Sequence, residues 1–430
     1  MTKRAICLGG GGPAAGLHIG VLKALVGAEV RKEEIKFGVW ALSCIGAWVG
    51  IVYNQARKGR EIDETKKFFE SVFRDNKSYK SFPMNTIFAP DWSGNVEAIW
   101  DFLLEPRNYK NAFLPREIMK SWLHTMSAIR RSATRRRRYR IYNNRELEEF
   151  EEFQEFSEGD FNRWTLNHVL AVHPAVRFLT AMMYKSNING LSRLYYPDSS
   201  FLKGIKFQEL YDDEKPFIFH NAWNLSRQKL VLFANEEKKT KSDEVEGYRP
   251  INAASLCACS ALPFIEQTVT IDGDIYCEGA LVDTVNFKNL LEDNPDLEEI
   301  WISRIVDAKQ IRPPRNLYDS QANLCELFAA TVGEDDIKLF KHHFAKNKKW
   351  EKIKIIEIQV GNIGFEWSHA NLERGIKNGE EAAREALKRY EKEFDPNKPH
   401  QIIAPSRKEL KEKLQKEAEE RARKRLTAAE

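Results

Sequence analysis

Two turns in the sequence join a strand to a helix through small residues, and both have a composition suited to acyl transfer. The first, Gly9–Gly12, follows the apolar run Ala5–Leu8 and precedes a helical pattern over Gly16–Val26. Consecutive glycines let several backbone N–H groups point at one place, and the start of the helix adds positive potential there. Such a loop can hold a phosphate group or the oxyanion that forms on a carbonyl under attack.

The second turn has the shape of a nucleophile elbow, in which a strained bend presents one side chain at the start of a helix. It follows the predicted strand Lys36–Leu42, and counting back two residues from Gly46 places the nucleophile at Cys44. A register shifted by one residue makes Ser43 the nucleophile instead. Because a helix N-terminus lowers the pKa of a thiol, we expect Cys44 to be suited to attack a carbonyl. The alternative is a core cysteine with no chemical role.

A dinucleotide-binding loop is the competing interpretation of the glycine run. That interpretation requires an Asp or Glu at the end of the second strand, where it would bind the ribose hydroxyls. The strand Lys36–Leu42 runs into Ser43 instead, and the nearest acids, Glu33 and Glu34, precede it. The sequence therefore argues against a nicotinamide or flavin cofactor.

The elements that must position these turns alternate between strands and helices, which predicts an α/β fold with a parallel sheet. A helix over Gly46–Gln55 follows the second turn. Apolar runs further along the chain predict strands at Phe217–Trp223, Leu230–Ala234, Gln267–Ile271, Glu299–Ile305 and Ile353–Val360. Asp272 and Asp274 flank Gly273 in a predicted hairpin turn.

Length and composition limit the class of protein. The chain has 430 residues, of which 42% are hydrophobic, so it can bury a large core in one to three domains. Its net charge of +4 is too small to predict a nucleic-acid partner. No apolar run approaches the roughly 18 residues that predict a membrane-spanning helix, and the start of the chain predicts no signal peptide. The 6 cysteines predict free thiols in a reducing cytoplasm.

The region from residue 57 to residue 213 differs from its surroundings and predicts a helical insertion, or cap. The basic run Arg135–Arg138 precedes a glutamate-rich stretch, so it pairs with those acids or attracts phospholipid head groups. The segment Trp164–Tyr184 is apolar enough for a lid over an acyl pocket or for an ordinary cap core. Beyond the catalytic region, Ser406 and Glu409 have the spacing of a capping box that opens a charged C-terminal helix.

Four motifs, in this order, resemble those of the patatin-like phospholipase family. The resemblance covers residues 1–56 and about 216–310. The motifs are the loop Gly10–Gly12 with Gly20-Val21-Leu22 after seven residues, the elbow at Cys44, Cys259–Phe264 (A-S-x-A-x-P in the family), and Tyr276–Asp283 (D-G-[GA]).

This resemblance implies a patatin-like three-layer α/β fold with a mostly parallel central sheet. It implies an oxyanion site formed by the N–H groups of Gly10, Gly11 and Gly12, and a catalytic dyad of Cys44 and Glu278 without a third residue. It implies no metal and no redox cofactor. The implied activity is hydrolysis of lipid esters through a covalent acyl-enzyme in the cytoplasm. The expected domains are a catalytic domain at 1–56 and 214–400, the cap at 57–213 and a C-terminal helix at 401–430.

The sequence departs from the family pattern at the positions that would carry out catalysis. Ala14 replaces a basic loop residue, Leu42 an elbow glycine, Cys44 the usual serine and Glu278 the usual aspartate. A coordinated change to a Cys/Glu dyad is one explanation, because a carboxylate is a less mismatched base for a thiol than for a hydroxyl. The retained glycine run also favours a working oxyanion site. Decay to an inactive lipid-binding or scaffold protein is the other explanation.

The substrate and partner expectations follow from the same resemblance. The substrate is a lipid ester, with an intracellular polyester of the polyhydroxyalkanoate type as the alternative. Peripheral contact with a membrane or a storage granule is a further expectation.

Overall fold

The computed structural model describes residues 2–72, 99–106, 189–192, 202–236, 247–304, 311, 313–314, 317–361, 363–364, 367–406, 409, 412 and 415. The chain divides into two compact units, residues 1–90 with 189–430 and residues 91–188, and the fold given below is that of the first. The basic run Arg135–Arg138 and the predicted lid Trp164–Tyr184 lie outside the described residues. The cap bounds, 57–213, stay a prediction.

A ten-stranded sheet forms the centre of the first unit. The strands along the chain are β1 (Arg4–Leu8), β2 (Glu29–Val30), β3 (Glu33–Glu34), β4 (Val39–Leu42), β5 (Gly190–Ser192), β6 (Phe217–Asn224), β7 (Lys229–Ala234), β8 (Tyr248–Pro250), β9 (Phe264–Glu266), β10 (Val269–Ile271), β11 (Asp274–Glu278), β12 (Glu299–Arg304), β13 (Lys354–Gln359) and β14 (Ile402–Ile403). Their order in the sheet is β10-β11-β6-β4-β1-β12-β13-β14, and β7 and β8 extend from β6. Every pair from β6 to β14 is parallel, whereas β6 pairs antiparallel with β7 and β11.

Helices cover both faces of this sheet. They are α1 (Ala15–Leu25), α2 (Ile45–Gln55), α3 (Glu61–Val72), α4 (Ala253–Cys259), α5 (Phe287–Asp293), α6 (Leu317–Lys346) and α7 (His369–Glu393). Ile6 and Leu8 of β1 pack with α1, α2, α4 and α7, whereas Ala5 and Cys7 pack with α5 and α6. All four are buried, as expected for a parallel strand covered on both sides. The predicted three-layer α/β fold with a mostly parallel sheet is therefore confirmed.

Glycines let helices α1 and α7 cross at very short range. A β-carbon on Gly20 would lie 2.0 Å from the backbone oxygen of Ile376. A β-carbon on Gly379 would lie 2.1 Å from the backbone oxygen of Leu17. Because α1 starts directly after the glycine loop, this crossing holds that end of the loop against the body of the protein.

Substituting Gly379 by alanine should lower the free energy of unfolding by about 2–3 kcal/mol, since the added methyl group forces the two helices apart. Urea denaturation measures the loss. Gly38→Ala is the matched control, because a β-carbon there has no heavy atom within 4 Å. We expect that control to change stability by less than about 0.5 kcal/mol. Equal losses in the two variants would contradict the close crossing.

Two local predictions from the sequence are confirmed. Asp272 (φ 51°) and Gly273 (φ 85°) form the tight turn between β10 and β11. The capping box is also present, because the N–H of Ser406 donates to Glu409 Oε2 at 2.7 Å and the N–H of Glu409 donates to Ser406 Oγ at 3.2 Å. The predicted helix 401–430 does not begin at residue 401, because Ile402–Ile403 form β14 of the central sheet, and most of its remaining length lies outside the described residues.

Candidate active site

Cys44 lies at the bend between β4 and α2. Its φ of 48° and ψ of −122° place it in a backbone region that residues with a β-carbon rarely adopt. The N–H of Ser43 donates to the backbone oxygen of Leu8 at 3.0 Å. A β-carbon on Gly46 would lie only 2.1 Å from that same oxygen, so a glycine is needed for α2 to start this close to β1. These contacts hold the bend with Cys44 as its strained residue.

Gly50 explains how Leu42 is tolerated where the family has an elbow glycine. A β-carbon on Gly50 would lie 2.6 Å from each δ-methyl carbon of Leu42. The leucine side chain therefore fills the space that a side chain on α2 would otherwise take. The departure at one end of the elbow is matched by a small residue in the helix that follows it.

Glu278 ends β11, and its side chain meets Cys44. The Cys44 thiol donates a hydrogen bond to the Glu278 carboxylate. Both residues are buried, with exposed fractions of 9% and 6% respectively. The N–H of Glu278 donates to the backbone oxygen of Ala261 at 3.0 Å, which fixes the end of the strand. The two side chains proposed as a dyad, far apart in the chain, are thus in contact.

The glycine loop lies against this pair. A β-carbon on Gly10 would lie 3.0 Å from Cβ of Cys44 and 3.7 Å from Oε1 of Glu278, so a larger residue here would crowd Cys44. Among the described residues, none accepts a hydrogen bond from the N–H groups of Gly10, Gly11 or Gly12. Binding an oxyanion requires unpaired N–H groups, and the loop that carries these borders Cys44 at Gly10.

The pKa of the Cys44 thiol differs from the prediction. Burial, followed by the charge and the hydrogen bond of Glu278, raises the pKa of the Cys44 thiol well above its ordinary value. The N–H of Ile45, at the helix start, lowers that pKa but does not outweigh burial. The predicted effect of the helix start is therefore present, but the expectation that it would leave the Cys44 thiol with a lowered pKa is wrong. Burial also raises the pKa of Glu278 to about 7, although its hydrogen bond with Cys44 opposes the increase.

Two neighbours of Cys44 have contacts that the sequence did not reveal. The Ser43 hydroxyl, which is fully buried, donates to the backbone oxygen of Thr284 at 2.6 Å. The N–H of Cys44 donates to the sulfur of Cys259 at 3.1 Å. That N–H is therefore occupied by a residue of α4.

The segment after Glu278 is joined to α6 through the half-buried carboxylate of Asp336, and Asp283 fixes the turn within the segment. The N–H of Thr284 donates to Asp336 Oδ2 at 2.7 Å, and the N–H of Asn286 donates to Asp283 Oδ1 at 2.6 Å. Burial, followed by the charge of Asp283, raises the pKa of Asp336 to about 7. Because the Ser43 hydroxyl bonds to Thr284, this segment also supports the elbow.

Two other kinds of feature are absent from the part of the chain that the structure describes. No group of three or more His, Cys, Asp or Glu side chains there is arranged to hold a metal ion. No described helix combines the length and the apolar character that crossing a membrane requires.

Comparison with known proteins identifies the family. No curated protein sequence matches the chain. The crystal structure of VipD from Legionella pneumophila aligns with 12% identity and a TM-score of 0.37, over 90% of this chain and 67% of that one. The family model described as patatin-like phospholipase matches residues 6–291, well over half of the chain. That span contains the glycine loop, Cys44 and Glu278, and the chain belongs to the patatin-like phospholipase family.

Proposed function

We propose that the protein hydrolyses lipid esters through an acyl-enzyme formed on Cys44. Membership of the patatin-like phospholipase family implies a hydrolase of lipid esters. The observation that carries the finer proposal is the hydrogen bond between the Cys44 thiol and the Glu278 carboxylate, directly beside Gly10. A strained nucleophile, a base in contact with it and unpaired backbone donors are the three parts that acyl transfer needs.

In the first step, Glu278 accepts the thiol proton while the Cys44 sulfur attacks the ester carbonyl carbon. The carbonyl electron pair moves onto oxygen, and the N–H groups of Gly10, Gly11 and Gly12 stabilise the resulting oxyanion. When this pair returns, the bond to the alcohol breaks, and the alkoxide takes the proton from Glu278 as it leaves. The products of this step are an alcohol and a thioester.

In the second step, Glu278 accepts a proton from a water molecule that attacks the thioester carbonyl. The same loop stabilises the second oxyanion, and the thiolate of Cys44 leaves as the carbonyl reforms. Glu278 returns its proton to that thiolate, so a carboxylic acid is released and the site is restored. One residue thus acts as base and then as acid in each step, and no third side chain is required.

The pKa values of Glu278 and of the Cys44 thiol suit the transfer of a proton from the thiol to the carboxylate. A carboxylate with a pKa near 7 is a stronger base than one at its ordinary value of 4.5, and it is still largely ionised at slightly alkaline pH. The thiol keeps its proton until attack, because its pKa is raised well above the ordinary range. Proton transfer therefore accompanies attack instead of preceding it.

The pH dependence of kcat/KM tests the role of Glu278 as the base. For a short-chain p-nitrophenyl ester, kcat/KM should rise about tenfold per pH unit below pH 7 and level off above it. The reason is that only ionised Glu278 can accept the proton, and burial raises its pKa to about 7. Stopped assays between pH 5 and pH 9 measure the profile.

Asp336→Asn is the control for this profile, because burial and Asp283 raise the pKa of Asp336 to about 7 as well. The thiols near Glu278 cannot produce the same rise, since burial raises the pKa of Cys277 and of Cys325 to about 11. The rise near pH 7 should persist in Asp336→Asn. Its disappearance there, or a flat profile in the unchanged protein, would contradict the role given to Glu278.

The substrate class is open to a direct comparison. Release of fatty acid from phospholipid vesicles supports a lipid substrate that the protein reaches by peripheral contact. Release of soluble acids from amorphous polyhydroxyalkanoate granules supports the polyester alternative. Vesicle binding without turnover of either, or of the p-nitrophenyl ester, would instead indicate an inactive lipid-binding protein.

A further inference from the structure

His18 is a fully buried residue of α1 whose two ring nitrogens are both engaged. Its Nε2 lies 2.9 Å from the backbone oxygen of Gly9, and its Nδ1 lies 2.9 Å from Oγ of Ser303 in β12. A backbone oxygen only accepts hydrogen bonds, so the proton must be on Nε2. In the neutral ring Nδ1 then accepts from the Ser303 hydroxyl, which fixes the tautomer and the ring orientation.

The partner of His18 is the peptide that carries one of the oxyanion donors. In a trans peptide the carbonyl oxygen and the following N–H point in opposite directions. Holding the Gly9 oxygen on His18 therefore directs the Gly10 N–H away from the imidazole. The Gly10 α-carbon borders Cys44 and Glu278, and no described residue accepts the Gly10 N–H.

We propose that His18 is a positioning residue that locks the Gly9–Gly10 peptide so that the Gly10 N–H faces the reacting carbonyl. This inference rests on the proposed function, since it assigns His18 to the oxyanion site of the same reaction. It also accounts for the buried imidazole, which takes no proton from the substrate. Without the hydrogen bond from His18, the Gly9–Gly10 peptide can rotate, because glycine tolerates the backbone angles of either peptide orientation.

The test compares variants that keep or lose the donor to Gly9. His18→Leu removes it with a side chain of similar volume, His18→Gln can still donate from a position close to Nε2, and His18→Asn is too short. Relative to the unchanged protein, kcat should fall about 100-fold in His18→Leu and His18→Asn with KM within about threefold, the usual effect of losing one oxyanion donor. His18→Gln should recover most of the rate.

A transition-state analogue supplies a readout that a purely structural role would not move. A trifluoromethyl ketone forms a tetrahedral adduct with the Cys44 sulfur, so its affinity should weaken about as much as kcat falls. Alkylation of Cys44 by iodoacetamide forms no oxyanion, and its rate should stay within about threefold. His220→Gln is the matched control, because His220 is also fully buried but its Nε2 lies 3.3 Å from Oγ of Ser255 in α4. It should retain both kcat and ketone affinity.

The outcomes separate this inference from the proposed function. If ester hydrolysis and ketone inhibition survive in Cys44→Ala, the proposed function is wrong. If Cys44→Ala is inactive but His18→Leu binds the ketone as tightly as the unchanged protein, His18 does not position the donor. Should His18→Leu fail to fold, the pair His18→Gln and His18→Asn decides. Equal ketone affinities in that pair would overturn the inference.

Discussion

Replacing Cys44 by alanine should reduce kcat for ester hydrolysis at least about 1000-fold, to the level supplied by the oxyanion site and binding alone. The reason is that the sulfur is the only nucleophile in contact with the Glu278 carboxylate among the described residues. Steady-state assays with a p-nitrophenyl ester measure the loss. The folded state should persist, since the substitution removes one buried sulfur atom.

Two variants make this result specific. Cys257→Ala removes another fully buried thiol of the same core, whose pKa is affected by Glu266 and Cys259 and not by Glu278, and it should keep activity within about threefold. Ser43→Ala removes a hydroxyl that donates to Thr284, so it should lower activity less than Cys44→Ala does. Activity that survives Cys44→Ala but not Ser43→Ala would move the nucleophile by one residue and contradict the assignment.

Replacing Glu278 by glutamine should have two opposite effects, a loss of activity and a gain in stability. Activity should fall about 100- to 10,000-fold, because an amide cannot accept the thiol proton. The stability gain follows from burial, which raises the pKa of Glu278 from the ordinary 4.5 to about 7 in the folded protein. Such a shift is equivalent to about 3 kcal/mol, at roughly 1.4 kcal/mol per pKa unit.

The sign of the pH dependence is fixed by the direction of that pKa change. The folded protein holds the Glu278 proton more tightly than the unfolded chain does, so this residue stabilises the fold below about pH 4.5 and that contribution is lost as the pH rises through 7. A glutamine does not ionise. Glu278→Gln should therefore be more stable than the unchanged protein by about 3 kcal/mol at pH 8, and by less than about 1 kcal/mol at pH 5.

Urea denaturation at both pH values measures this difference, and Glu299→Gln is the matched control. Glu299 is also a buried glutamate, with 1% exposed, but it accepts hydrogen bonds from Arg4 Nε at 2.8 Å and from the Tyr390 hydroxyl at 2.7 Å. Removing that paired charge should lower stability. If Glu278→Gln instead destabilises the protein at pH 8, the carboxylate is not an unfavourable buried charge.

The local geometry of the site could be predicted where short-range patterns dictate it. The apolar runs before Gly9 and Ser43 identify β1 and β4. The small residues that follow each run identify a sharp turn from a strand into a helix, because such a turn leaves little room for side chains. The motif around Glu278 pointed to the residue that meets Cys44. These features depend on a few consecutive residues each.

What could not be predicted depends on contacts between distant parts of the chain. The thiol pKa was predicted in the wrong direction, because a helix start is visible in the sequence and the burial of Cys44 is not. The contact between Cys259 and the Cys44 N–H needs α4 to pack on the elbow, and the compensation of Leu42 by Gly50 is a side-chain fit. The long helix α6, which supports Thr284 through Asp336, was not predicted at all.

The most direct test of the proposed acyl-enzyme on Cys44 is to trap the acyl group during turnover. The protein would be mixed with a slowly hydrolysed ester, quenched in acid, digested and mapped by mass spectrometry. We expect one acyl group on the peptide that contains Cys44, located on sulfur by fragmentation and released by neutral hydroxylamine, as a thioester is. An acyl group on the Ser43 oxygen that resists hydroxylamine, or full turnover with no acyl group on this peptide, would contradict it.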